Sequence, residues 1–240
     1  MAGGIAAAIG LVSLVAFTVR PMLAIDGPRF TSLYQGIVRM NTYVGLALAS
    51  RLGGELGLDH AAIAIAVIVP LVNLTCVTSL AWLGEPDGDT RHPIVRSVFT
   101  NPLILGCLVG LLLNVSSIGS PPIVGDTAAI LGRAALPLGL LAVGAALRWQ
   151  SVASCRAAEV IGCVVKLVAL PALTGLLLSW IGVTGIALTI GVLFTALPTA
   201  PSAYLLAREM GGDAEAMAAL LSVQTVLSLF SLPIVLWWLV

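Results

Sequence analysis

Apolar residues run along this chain in long blocks separated by short polar punctuation, and about 20 helical residues suffice to cross the hydrocarbon of a bilayer. Eight blocks meet that length or come near it: 2–24, 32–51, 60–83, 100–116, 122–147, 157–180, 184–208 and 214–239. The pattern predicts an all-α integral membrane protein of about eight transmembrane helices. The first block lacks the charged start of a secretory signal, and Arg20-Pro21 stands where a small-residue cleavage site would be, so it reads as a span. Gly84 to Arg96, GEPDGDTRHPIVR, is the longest polar segment. It divides the chain into 1–83 with three spans, a linker at 84–99, and 100–240 with five spans.

One block is interrupted. Within Gly185 to Met210, GIALTIGVLFTALPTAPSAYLLAREM, Pro198 and Pro201 lie three residues apart near the middle. Neither has an N–H, so the carbonyls of Phe194 and Leu197 lose their helical partners and the helix should break. In hydrocarbon, broken backbone survives only where protein buries it or where it lines a wet cavity. The neighbours Ala196, Thr199, Ala200 and Ser202 are small or hydroxylic, so a ligand can approach the bared backbone. Thr199 and Ser202 share a face at i, i+3 spacing. A second half-helix starting at Pro201 would aim the N–H groups of Ser202, Ala203 and Tyr204 into the membrane, an arrangement that favours an anion.

Composition narrows the classes. The 240 residues are 59% hydrophobic and 9% charged, against about 25% charged in a soluble domain, and the mean hydropathy is +1.10. Zero net charge and the absence of a basic run leave nucleic acid without an electrostatic footprint. Cys76, Cys107, Cys155 and Cys163 are scattered with no CxxC or Cys/His spacing, so they read as small core residues rather than a metal site or disulfide framework. There is no Walker loop to bind ATP, and no cofactor is expected. An intramembrane enzyme needs a base or nucleophile in the bilayer. Here His60 and His92 fall in loops or at a span edge, and no Asp or Glu is central in a span.

Counting basic residues in alternate loops sets orientation. The odd loops hold Arg20, Arg29, Arg91, Arg96, Arg148, Arg156 and Arg208, and the even loops only Arg51. Both termini are therefore expected outside, in a plasma or inner membrane. Trp82, Trp149, Trp180, Trp237 and Trp238 all stand at span ends, as interface anchors do.

The third span, Ala64 to Leu83, resembles the last, Ala219 to Leu239, in its polar positions and Trp-Leu close. The second span precedes the third as the broken span precedes the last, and the two run in opposite directions. An inverted repeat follows, with Asn41, Thr42 and Gly45 as the counterpart of the Pro198–Pro201 break. Several polar side chains inside spans then become candidates. Lys166 lies mid-span; it would neutralise a carboxylate or titrate if left unpaired, or else pair structurally with Glu159 two turns away or snorkel. Arg133 stands in the same relation to Asp126. Asn73 and Gln224 are near-equivalent under the repeat and suit either a cavity wall or interhelical bonding. Arg39, about two turns from the surface, reads as a snorkelling side chain.

RMNTYVGLAL (Arg39 to Leu48), NPLILGCLVGLLLN (Asn101 to Asn114), LPLGLLAVGAAL (Leu136 to Leu147), VVKLVALPAL (Val164 to Leu173) and TALPTAPSAYLLAREMGGD (Thr195 to Asp213) resemble the auxin efflux carrier family. That family includes bacterial malate and malonate permeases. The resemblance implies an inverted-repeat carrier of ten spans, two sets of five, with a broken helix in each repeat crossing its partner near the midplane. It implies a small organic carboxylate as substrate, the lipid bilayer as surroundings, and admits a homodimer. Substrate would fall to Asn41, Thr42, Gly45, Lys166, Pro198, Thr199, Pro201 and Ser202, with Asn73, Arg133 and Gln224 lining the cavity. This chain departs from the family in two ways. Its second span has no proline, and it has eight spans where ten are expected. If span one mirrors span six, the partners of spans four and five would precede Met1, so the first two family spans are expected to be missing. The competing readings are an ion-coupled antiporter, a bile-acid-symporter-like carrier of related architecture, and an intramembrane enzyme.

Overall fold

The computed structural model describes residues 1–85 and 155–239, with isolated positions between 105 and 145. The fourth and fifth expected spans, most of the linker at 84–99, and Arg133 lie outside the described residues apart from those positions. All regular structure among the described residues is helical.

Helix α1, Ala2–Val19, ends in a single 3-10 turn, Arg20–Met22, that carries Pro21. Its buried residues Gly4, Ile5, Ala8 and Ile9 recur at helical spacing, the signature of one packed stripe. Leu11, Leu14 and Val15 on the remaining surface are exposed, as a lipid-facing helix requires. Ser13 Oγ and Thr18 Oγ1 donate to the carbonyls of Ile9 and Leu14 one turn back, so neither hydroxyl is left dry and unpaired.

Helix α2, Gly27–Val38, starts at Asp26, whose carboxylate accepts the Arg29 N–H, a normal N-cap. From Phe30 to Val38 every residue is buried, and a helix buried all round is central. It stops at Arg39. Helix α3, Thr42–Leu83, has 42 residues, about 63 Å if straight, twice the hydrocarbon thickness. It is not straight. Gly54 sits at φ 57°, ψ −135°, a conformation reserved for glycine, and there the chain doubles back. A Cβ on Gly57 would strike the Ala49 carbonyl, and one on Gly27 would strike the Leu83 carbonyl. The start of α2 and the end of α3 are thus neighbours.

The next described span begins with α4, Ala157–Val164, passes through a π-helical turn, Val165–Ala169, and continues as α5, Leu170–Trp180. Pro171 follows the π turn and has no N–H for the α ladder, the kind of interruption that accompanies such turns. Helices α6, Gly185–Ala196, and α7, Ser202–Glu209, flank the predicted break, and α8, Ala214–Leu239, closes the chain.

Among the described residues, four helical stretches are candidate spans by length and apolarity: Ala2–Met22, Gly27–Leu83, Ala157–Trp180 and Ala214–Trp238. Four rather than eight has physical reasons. Spans two and three run together through α3, the broken span splits into halves of 12 and 8 residues, and two expected spans are not described.

One end of the bundle gathers the arginines. Glu159, fully buried, accepts Arg29 Nε at 2.9 Å and Nη2 at 2.7 Å on Oε1, and the Arg156 N–H at 2.8 Å on Oε2. The Arg20 guanidinium lies over the Phe30 ring, 5.5 Å from its centroid. Glu85 N–H donates to the Gly211 carbonyl and Asp213 N–H to the Pro28 carbonyl, which brings the Arg208 end of α7 to the same side. The expected alternative partner of Lys166 is therefore corrected: Glu159 belongs to Arg29, 130 residues away in sequence.

Candidate functional site

Two chain breaks meet inside the bundle. After Ala196 the backbone turns extended at Leu197, as the missing proline N–H groups require. The chain also opens between Val38 and Thr42 without a proline. Arg39 is extended, and Asn41 caps α3 by accepting the N–H groups of Tyr43 at 3.2 Å and Val44 at 3.3 Å on Oδ1. An asparagine thereby does for the first break what two prolines do for the second, because its side chain offers those donors an alternative to the helix.

Each break satisfies the other. Asn41 N–H donates to the Pro198 carbonyl at 2.8 Å. Thr199 Oγ1 sits 3.3 to 3.4 Å from the carbonyls of Gln35, Gly36 and Arg39, sharing one hydroxyl proton among them. Gln224, from α8, accepts the Thr199 N–H at 3.0 Å and donates Nε2 to the Gly36 carbonyl at 2.9 Å. The carbonyls of Gln35 and Gly36 at the end of α2, the Pro198 carbonyl and the Thr199 N–H are thus paired in one stitched crossing. Pro198, Thr199 and Gln224, expected to meet substrate or line its cavity, help to hold this crossing together, as do the N–H and Oδ1 of Asn41, whose Nδ2 has no hydrogen-bond partner among the described residues.

Gly45 is a point of close approach. A Cβ there would come within 2.8 Å of a Leu197 methyl and 2.9 Å of the Phe194 ring. Gly45→Ala is expected to cost about 1–3 kcal/mol through overpacking, read as a lower melting point in detergent; an unchanged melting point would show that Phe194 and Leu197 yield freely.

Beside the crossing lies a cavity of about 320 Å³, walled by Arg39, Thr42, Tyr43, Asn73, Pro201 and Ser202 together with Met40, Ile68, Val69, Val72, Ala200 and Leu205. Of the expected site residues it brings together Thr42, Asn73, Pro201 and Ser202. Lys166 is fully buried but is not in its wall. Two of the three expected donors at the start of α7 need correction. Ala203 N–H and Tyr204 N–H donate to the carbonyls of Ala200 and Pro201, because the first turn tightens to i, i−3 bonds.

What faces the cavity instead is Arg39. Its side chain is 5% exposed, Nη2 donates to Asn73 Oδ1 at 3.0 Å and to Ser202 Oγ at 3.5 Å, and Nη1 has no hydrogen-bond partner among the described residues. The snorkelling expectation is overturned. The break turns the chain at Arg39, so the side chain enters the crossing rather than climbing α2 to the surface. Its position two residues before the asparagine of the break was the available signal.

Apolar spans around a stitched crossing of two broken helices describe a membrane transport protein, and a family model of that description matches residues 91–236, more than half the chain. The chain belongs to this family, that of the auxin efflux carriers. The match takes in the second break and leaves Arg39 and Asn41 outside it. No curated protein matches the chain.

Proposed function

We propose that this membrane transporter is a secondary carrier of small organic anions, dicarboxylates or auxin-like weak acids, working by alternating access around its two broken helices. One observation carries the reading: the Arg39 guanidinium is buried at a cavity with Nη1 unpaired, and no carboxylate pairs with it among the described residues. A buried cation lacking a counter-ion is costly, and a carboxylate that docks on a guanidinium fork repays that cost. The volume of about 320 Å³ falls at the low end of small-molecule pockets.

The inverted-repeat reading draws support from the two amides. Asn73 accepts from Arg39 at the first break, and Gln224 accepts from Thr199 at the second. Each amide thus accepts a hydrogen bond at a break, Asn73 from a guanidinium and Gln224 from a backbone N–H. On this reading the arginine-rich end faces the cytoplasm of a plasma or inner membrane, and both termini lie outside.

Uptake and counterflow of labelled malate, malonate and an aromatic acid in vesicles test the proposal. At least one of these anions is expected to exchange. If none does while a neutral or cationic solute is carried, the anion reading fails.

A further inference from the structure

Lys166 is fully buried, and its Nζ has no hydrogen-bond partner among the described residues. It projects from the π-helical turn Val165–Ala169, midway along an apolar span. The crossing does not use it, and it is absent from the cavity wall. A lysine so placed needs an explanation, because a dry ammonium with nothing to accept its protons is costly.

Among the described residues no neighbour supplies that acceptor. The π turn packs against α2, α4, α5, α6 and α8. The titratable groups on these are Arg29 and Tyr34 of α2, Glu159 and Cys163 of α4, and Glu215 of α8; α5 and α6 have none. Glu159 is held by Arg29 and Arg156 at the arginine-rich end, and Glu215 lies in the first turn of α8. Arg39 follows the last residue of α2, the helix against which the π turn packs, and Ile37 of α2 lines one apolar cavity with Val165 of the π turn. A negative charge docked on Arg39 acts on Lys166 through a low-dielectric interior, where such interactions are strong.

We propose that Lys166 is the proton carrier of this transporter, taking up one proton as an anion docks beside Arg39 and releasing it when the anion leaves. This rests on the anion-carrier reading. The step balances: a carboxylate and a proton enter from one side, the proton sits on Nζ while the carboxylate sits in the cavity, and both depart on the other side. No bond other than N–H forms or breaks. Each anion then crosses with one proton, and a pH gradient can drive its accumulation.

The test is calorimetric titration of the purified chain with malate and with malonate, in two buffers of different ionisation enthalpy. About one proton should be taken up per anion bound. Lys166→Arg, whose guanidinium stays charged, and Lys166→Met should still bind anion and take up none. In proteoliposomes a pH gradient should drive malate uptake by the parent and not by Lys166→Arg, which should keep counterflow. Anion binding with no proton uptake by the parent, or gradient-driven uptake that survives Lys166→Arg, overturns this inference and leaves the anion carrier standing. Failure to bind or exchange either anion overturns both. Where neither variant folds, the proton count of the parent decides: about one supports the proposal and zero overturns it.

Discussion

Replacing Arg39 by glutamine should cut the affinity for a carried carboxylate by roughly thirtyfold to several thousandfold, the equivalent of about 2–5 kcal/mol. The loss is large because the guanidinium is already desolvated, so an anion arriving beside it gains a charge-assisted bond without first stripping water from the arginine. The folded protein should not suffer with it. A glutamine amide can still donate to Asn73 Oδ1, the bond that Nη2 now makes at 3.0 Å, while the unpaired Nη1 disappears and with it the cost of a buried, half-satisfied charge. The melting point in detergent is thus expected to hold or rise as the apparent KM climbs. Arg39→Lys should fall between, keeping the charge and losing the fork. An unchanged KM in Arg39→Gln would sink the assignment, and a collapse of the melting point would make Arg39 a structural residue.

The second break could be read in the sequence because proline removes a donor wherever it stands. Pro198 and Pro201 therefore ended α6 at Ala196 and began α7 at Ser202 on chemistry alone. The first break was visible only through the repeat argument, since Asn41 is as common in ordinary helix contacts as at a cap. The fates of the buried charges were not legible. Periodicity offered Glu159 to Lys166 because both share a helix face, whereas the partner that took Glu159 was Arg29 on another helix. Arg39 was misread for a related reason. Depth was counted along a helix that in fact ends at Val38, so the count gave the wrong direction for the side chain. Local rules locate breaks; which groups a break pairs depends on helices far away in sequence.

Gln224 gives the sharpest test of that pairing. Gln224→Leu keeps the side-chain volume nearly constant and removes both bonds of the stitch: the acceptor of the Thr199 N–H at 3.0 Å and the donor to the Gly36 carbonyl at 2.9 Å. Gln224 is fully buried, so no water replaces what is lost, and an abandoned buried backbone group costs about 1–3 kcal/mol. The two are not equal. Thr199 Oγ1 already lies 3.4 Å from the Gly36 carbonyl and can swing its proton to it, whereas the Thr199 N–H is fixed by a backbone that the flanking prolines forbid to close into a helix. With one group abandoned, the expected cost is about 1–3 kcal/mol, which for a chain of this length corresponds to a fall in melting point of roughly 2 to 12 °C. Thr199→Val, which removes the hydroxyl but leaves both Gln224 bonds in place, should lose no more than about 1.5 kcal/mol. The order of the two variants is the decisive reading. If Thr199→Val melts lower than Gln224→Leu, the hydroxyl and not the amide holds the two breaks together, and Gln224 is free for the cavity role that its counterpart Asn73 fills at the other break.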